Sequence, residues 1–110
     1  MMTVSFYIDH RGRNQVGDFL DKNKRIKIKV TMIIKNINEF GLISAIPHLK
    51  KLSGLPLWEI RILGKDSARI LYAHNNKEKI VLLHVFKKKT NKTPIKEINI
   101  AMGRLNELLS

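Results

Sequence analysis

The chain has 110 residues, of which 44% are hydrophobic and 27% are charged, and it contains no cysteine. A chain of this length supports one hydrophobic core rather than two, so we treat residues 1–110 as a single domain. The absence of cysteine excludes a disulfide framework and a thiol nucleophile. The 21 Lys and Arg side chains against 9 Asp and Glu give a net charge of +12, which favours a polyanionic partner, with nucleic acid as the leading candidate.

No apolar stretch approaches the roughly 20 residues that a membrane-spanning helix needs. The N-terminal segment is also too short, and too polar at its flanks, to be a signal peptide. We therefore expect a cytoplasmic protein without a membrane partner.

The N-terminal part of the chain predicts a strand followed by two helices. Val4, Phe6 and Ile8 are spaced two residues apart, which is typical of a short strand. Apolar side chains then recur at helical spacing over residues 14–22 and again over residues 25–40. Because only about two residues separate the two helices, we expect them to form an antiparallel hairpin.

After an irregular crossing over residues 42–56, the hydrophobic period changes to two. Strands are predicted at residues 58–63, 68–73 and 80–86. The connections between them are too short for a crossover, so neighbouring strands must be antiparallel. The third strand is apolar on both faces, which indicates that it is covered on both sides.

A last helix is predicted after the third of these strands. Thr93 has the residue type of an N-cap, Pro94 suits the first helical position, and apolar side chains recur from Ile95 to Leu109. The expected element order is βααβββα. We predict an α+β fold in which an antiparallel sheet of about four strands carries the helical hairpin on one face and is followed by a C-terminal helix.

A run of lysines without any acidic residue connects the last predicted strand to the last helix. Its members are Lys87, Lys88, Lys89 and Lys92. Lysines at the end of a strand, followed by the free N–H groups of a helix, suit phosphate oxygens. The alternative is an ordinary solvated loop, but the net charge of the whole chain favours a phosphate site.

Arg61 and Arg69 form a second group of cations on the predicted sheet. Both lie on the face away from the core if the neighbouring isoleucines point inward, so a hairpin brings them together near the lysine run. Clustered cations without a nearby acid are unfavourable unless a ligand neutralises them, which indicates a phosphate site. The alternative is that Arg61 forms a surface ion pair with an acid such as Glu59 or Glu78.

The four histidines lack the spacing of a helical zinc pair and have no clustered carboxylates beside them. No nucleotide-binding glycine loop is present either, so we predict neither a metal site nor a cofactor. His84 is spaced in phase with Ile80, Leu82 and Phe86, which favours a core position over a role as an acid or base.

Three segments combine into a pattern that is more specific than any one of them. They are a Trp-Glu-x-Arg strand, an Arg-x-Leu-Tyr strand and a Phe-Lys-Lys-x-Thr-x-Lys-Thr-Pro run, at residues 58–61, 69–72 and 86–94. Together with the opening strand and helical hairpin, this pattern resembles the HigB-like, phage-derived branch of the RelE/ParE toxin superfamily. The resemblance covers nearly the whole chain.

This resemblance implies a RelE-like fold and the toxin of a type II toxin–antitoxin pair. Such a toxin is an endoribonuclease that cuts mRNA on the ribosome without a metal and thereby inhibits translation. The RNA 2′-hydroxyl attacks the adjacent phosphate, and side chains on the sheet act as base, charge stabiliser and acid. The partners implied are mRNA on the ribosome and a small antitoxin, which we expect to be a helix-turn-helix protein.

The resemblance also assigns candidate site residues. The catalytic candidates are Arg61, Arg69, His84, Lys87 and Lys88. Among them Arg69 is expected to stabilise the charge on the phosphorane, because its guanidinium can bind two oxygens. The candidate RNA contacts are Lys65, Lys89, Lys92 and Thr93.

The sequence departs from the RelE pattern at two places. Glu59 stands where a second basic residue is often found, and the late tyrosine of some RelE members is absent. The acid and base are therefore open among His84, Glu59 and a lysine. A non-nuclease protein, either a ParE-like gyrase-poisoning toxin or a basic RNA-binding module, is the alternative, and the expected convergence of Arg61, Arg69 and Lys87 favours the nuclease.

Overall fold

Five strands and three α-helices lie within residues 2–110, which are the residues that the computed structural model describes. A 3₁₀ helix, Leu42–His48, connects α2 to β2. The elements in chain order are β1 (Thr3–Phe6), α1 (Gln15–Lys22), α2 (Lys24–Phe40), β2 (Leu49–Lys51), β3 (Trp58–Ile62), β4 (Ala68–Asn76), β5 (Lys79–Lys87) and α3 (Ile95–Leu109). No helix in this part of the chain is long and apolar enough to cross a bilayer.

The strands form one sheet in the order β1-β5-β4-β3-β2. The α+β class and the antiparallel run from β3 to β5 are confirmed. Two details of the prediction were wrong. The sheet has a fifth strand, β2, at its edge, and β1 pairs in parallel with β5. A parallel pair is allowed here because the chain between β1 and β5 is long enough to cross over.

The helical hairpin forms because each helix has one apolar face. The Asn14 side chain accepts a hydrogen bond from the Gly17 N–H at 2.8 Å and so caps the start of α1. α2 ends at Gly41, whose φ of 81° lies in the left-handed region that favours glycine. Val16 and Leu20 of α1 are buried against the sheet, and so is the apolar face of α2.

Both faces of the sheet are covered. Ile60, Ile70 and Leu82 pack against α1 and α2, whereas Leu71 and Val81 belong to a second cluster that includes the apolar face of α3. The face that carries Arg61 and Arg69 is therefore also a core face over part of its area. The prediction that these arginines lie away from the core was wrong in this respect, because α3 packs there.

A β-bulge in β5 changes which side chains share a face. Leu71 pairs with His84 while the next residue, Tyr72, pairs with Leu82, so Leu83 is an extra residue in β5. Ile80 and Leu82 point toward the helical hairpin, but His84 lies opposite Leu71 on the α3 face. The predicted common phase of His84 with Ile80 and Leu82 was wrong for this reason.

Candidate nucleic-acid interface

We call residues 88–94, which connect β5 to α3, the basic loop. It begins where the Lys88 N–H donates to the Ser67 carbonyl at 3.2 Å, and it includes a hydrogen bond from the Thr90 hydroxyl to the Lys92 carbonyl at 2.7 Å. Lys89 and Lys92 are exposed and Lys88 is half-buried. Among the ion pairs of residues 2–110, none involves a lysine of this loop. The loop therefore carries uncompensated positive charge.

An open groove lies beside the basic loop. His84, Lys87, Lys89, Pro94 and Glu97 line it together with aromatic side chains. Lysines thus share this groove with a histidine and a carboxylate, two side-chain types that serve in proton transfer. Within residues 2–110, no group of three or more His, Asp or Glu side chains is arranged to hold a metal ion.

His84 is held at both ring nitrogens. Nε2 lies 2.8 Å from Glu97 Oε1, and Nδ1 lies 3.3 Å from Arg104 Nη1. Because the guanidinium can only donate, neutral His84 accepts at Nδ1 and donates its Nε2–H to Glu97. Burial lowers the pKa of His84, the hydrogen bond to Glu97 opposes this shift, and the charge of Arg104 adds to it. The environment therefore favours the neutral ring in one tautomer.

Arg69 is part of a buried ion pair. Its Nε lies 2.9 Å from Glu59 Oε1, its Nη1 donates to the Ala68 carbonyl at 3.2 Å, and both charged side chains are buried. The other Glu59 oxygen, Oε2, accepts a hydrogen bond from the Thr93 hydroxyl. The expectation that no acid lies near the arginines was wrong, because Glu59 on β3 reaches Arg69 on β4.

Arg61 lies directly opposite Arg69 in the antiparallel register, so the two arginines do share one face of the sheet. Arg61 is half-buried, and its Nε is buried without a hydrogen-bond partner among the described residues 2–110. The Glu59 carboxylate forms its ion pair with Arg69, the neighbour of Arg61 across the strands. A buried donor without a partner is costly unless a ligand or water satisfies it, so Arg61 is a candidate contact for an anion.

A family model described as "Phage derived protein Gp49-like (DUF891)" matches residues 18–106. The chain belongs to this Gp49-like family. The family is one of RelE-like toxins, which agrees with the resemblance of the motifs in β3, β4 and the basic loop. The matched segment includes both arginines, His84 and the whole basic loop. No curated protein matches the sequence.

The remaining candidates of the Gp49-like protein lie in different places. Lys87 is exposed and pairs with Ala68, whose side chain faces the helical hairpin, so Lys87 lies on the opposite face from the two arginines. It also lines a second groove near the start of α2, with Arg25. Lys65 is exposed in the turn between β3 and β4. The structure thus brings Arg61 and Arg69 together, but not Lys87 with them.

Two features of the site were missed in the sequence. Thr93 is not the N-cap of α3, because Pro94 occupies that position and the Thr93 hydroxyl donates to Glu59 instead. Glu97 and Arg104 hold His84, and they lie seven residues apart on α3. That spacing puts them on one helix face, but nothing in the sequence indicates that this face meets His84.

Proposed function

We propose that this Gp49-like protein is the toxin of a type II toxin–antitoxin pair, of the HigB-like kind, and that it inhibits translation by cutting mRNA on the ribosome. The observation that carries this proposal is the groove in which the His84–Glu97 pair lies beside Lys87 and Lys89. The lysines supply phosphate binding and the pair supplies groups for proton transfer. Such a combination suits RNA cleavage without a metal.

In the proposed reaction the 2′-oxygen of the RNA forms a bond to the adjacent phosphorus and the bond to the 5′-oxygen breaks. The Glu97 carboxylate, which accepts from the Nε2–H of His84, takes the proton of the 2′-hydroxyl, and the pair then gives this proton to the leaving 5′-oxygen. We assign the stabilisation of the developing charge to Arg61 and not to Arg69, since Glu59 already binds Arg69 while the Arg61 Nε has no hydrogen-bond partner among residues 2–110. Lys88, Lys89 and Lys92 hold flanking phosphates.

The proposal includes a small helix-turn-helix antitoxin that keeps the toxin inactive, with both proteins in the cytoplasm. Membership of the Gp49-like family and the resemblance of the motifs to RelE/ParE toxins support this part. Co-expression with the product of a neighbouring short reading frame tests it, because a cognate antitoxin restores growth and copurifies with the toxin.

A non-nuclease toxin of the ParE-like, gyrase-poisoning kind, or a basic RNA-binding module, is the second candidate. The specific observation in its favour is the burial of Arg69 against Glu59, which occupies the guanidinium that was expected to meet the scissile phosphate. In these proteins the exposed lysines would bind nucleic acid without cleaving it.

The two candidates differ in what happens to mRNA when growth stops. We would express the protein from a tightly controlled promoter, map new RNA 5′ ends, and repeat the cleavage with purified ribosomes in the presence of EDTA. His84→Gln is expected to lower cleavage by about 10²-fold or more, whereas His10→Gln, at an exposed histidine, leaves it unchanged. Growth arrest with intact mRNA and altered DNA topology would instead support the gyrase poison.

A further inference from the structure

We infer that Glu59 and Thr93 form an anchor that fixes the basic loop against the sheet and thereby positions its lysines for RNA. This inference rests on the proposed RNA contact of the loop. Glu59 and Thr93 are positioning residues in this proposal, since they act through the lysines and do not touch the RNA themselves.

The anchor begins with the contact between the two side chains. The Thr93 hydroxyl donates to Oε2 of Glu59, a residue that lies 34 positions earlier in the chain. Glu59 is buried on β3, and its other oxygen binds Arg69 on β4. The end of the loop is therefore attached to two neighbouring strands through one carboxylate, which the ion pair holds in place.

At the start of α3, the Thr93–Glu59 hydrogen bond takes the place of a helix-capping hydrogen bond from Thr93. Thr is a preferred N-cap residue, and its hydroxyl normally satisfies a free N–H in the first helical turn. In α3 the N-cap is Pro94, which makes no side-chain capping bond, and the Thr93 hydroxyl goes to Glu59. The path of the loop at Thr93 is thus set by the sheet and not by helix capping.

Two hydrogen bonds tie the basic loop to the strand region, as far as residues 2–110 show. One is at its start, from the Lys88 N–H to the carbonyl of Ser67, just before β4, and the other is the Thr93–Glu59 contact near its end. The exposed Lys89 and Lys92 lie between these two points. Loss of the second attachment would free the lysines to move while leaving every charge in place.

The test uses Thr93→Val, which keeps the shape of the side chain but removes the hydroxyl, and Thr93→Ser, which keeps the hydroxyl. Thr31→Val, at an exposed position on α2, is the matched control. The first measurement is the rate at which trypsin cleaves the chain after Lys88, Lys89 and Lys92, with the fragments identified by mass spectrometry. It reports on the anchor whether or not RNA binds.

The second measurement is the affinity for a short single-stranded RNA oligonucleotide at low and at physiological salt. We expect Thr93→Val to weaken binding by about two- to tenfold at each salt concentration, the effect of one lost hydrogen bond. The slope of the logarithm of the binding constant against the logarithm of the salt concentration should stay unchanged, because no charge is removed. Thr93→Ser should restore wild-type affinity and wild-type protection from trypsin.

The outcomes separate the anchor from the proposed function. If Thr93→Val leaves trypsin cleavage of the loop at the wild-type rate, the anchor does not exist. If it loosens the loop but RNA affinity stays at the wild-type value, the anchor does not position the lysines. If the wild-type protein fails to bind RNA at all, the proposed function fails first, and the positioning role falls with it.

Discussion

Glu59 Oε1 and Arg69 Nε lie 2.9 Å apart on adjacent strands, and their side chains are only 4% and 6% exposed. Because of this ion pair, a substitution of Arg69 affects the stability of the fold as well as any activity. We expect Arg69→Ala to lower the free energy of unfolding by about 3–5 kcal/mol, because it leaves the Glu59 carboxylate buried without its partner. Urea unfolding followed by circular dichroism measures the loss.

Arg25→Ala is the control for this prediction, because Arg25 is 75% exposed and lies 3.7 Å from Asp66. An exposed pair of this kind contributes at most about 1 kcal/mol. Equal stability of Arg69→Ala and the wild-type protein would show that the buried pair does not hold the strands together. Activity lost in Arg69→Ala must therefore be interpreted only after its folding has been measured.

The burial of His84 makes stability depend on pH. The pKa of His84 is lowered in the folded protein, mainly by burial, so the unfolded chain binds the proton more tightly. The stabilisation is fully present above the unfolded pKa of about 6.5 and is lost as the pH falls through the lower, folded pKa. Urea unfolding between neutral and mildly acidic pH should show this decrease.

His84→Gln should remove most of that decrease. The pKa values of the Asp9 and Asp21 carboxyls are lowered below their usual 3.8, the first mainly by the Arg13 N–H and the second by Lys27, so they titrate outside this pH range. If His84→Gln shows the same fall in stability as the wild-type protein between neutral and mildly acidic pH, another group causes it.

The two tyrosines should resist ionisation in the folded protein. Burial raises the pKa of Tyr7 to about 12, helped by the hydrogen bond from its hydroxyl to Glu107 at 2.6 Å. Burial alone raises the pKa of Tyr72 to about 12. Ultraviolet titration should therefore show little tyrosinate at pH 11 in the native protein, and full titration near the usual value of about 10 in urea. A native midpoint near 10 would mean that the tyrosines are not buried as described.

The lysines near the end of β5 should determine how strongly salt affects RNA binding. Replacement of Lys87, Lys89 and Lys92 by Ala removes up to three phosphate contacts, and each contact contributes about 0.7 to the salt slope with single-stranded RNA. We expect the slope to become shallower by about 2. The control replaces three exposed lysines elsewhere, Lys50, Lys77 and Lys79. A change of the same size in both triple variants would indicate non-specific attraction by the net charge.

The parts of the fold that local patterns determine could be predicted from the sequence. The helical hairpin follows from the apolar faces of its helices, and the order of β3, β4 and β5 follows from their short connections. The pairing of Thr3 with Lys79 could not be predicted in this way, because it joins residues far apart in the chain. β2 was missed because three residues are too few to show a period.

The candidate site also has one part that could be predicted from the sequence and other parts that could not. The lysine run is visible in the sequence because it needs no tertiary contact to be recognised. The position of His84 depends on the extra residue Leu83, and a single bulge reverses the face of every later residue in the strand. Arg69 is buried together with Glu59 of the neighbouring strand, and this ion pair is a tertiary contact that the local sequence does not specify.

The position of β5 between β1 and β4 also fixes when the protein can fold during its synthesis. β1 is made first, yet within residues 2–110 its only neighbour in the sheet is β5, the last of the described strands to be translated. Until residues 79–87 have left the ribosome, the N-terminal strand has no partner and the sheet has a gap, since non-local pairing must wait for both segments. The basic loop follows directly after β5, so the nascent chain acquires its sheet and its lysine-rich surface at nearly the same moment.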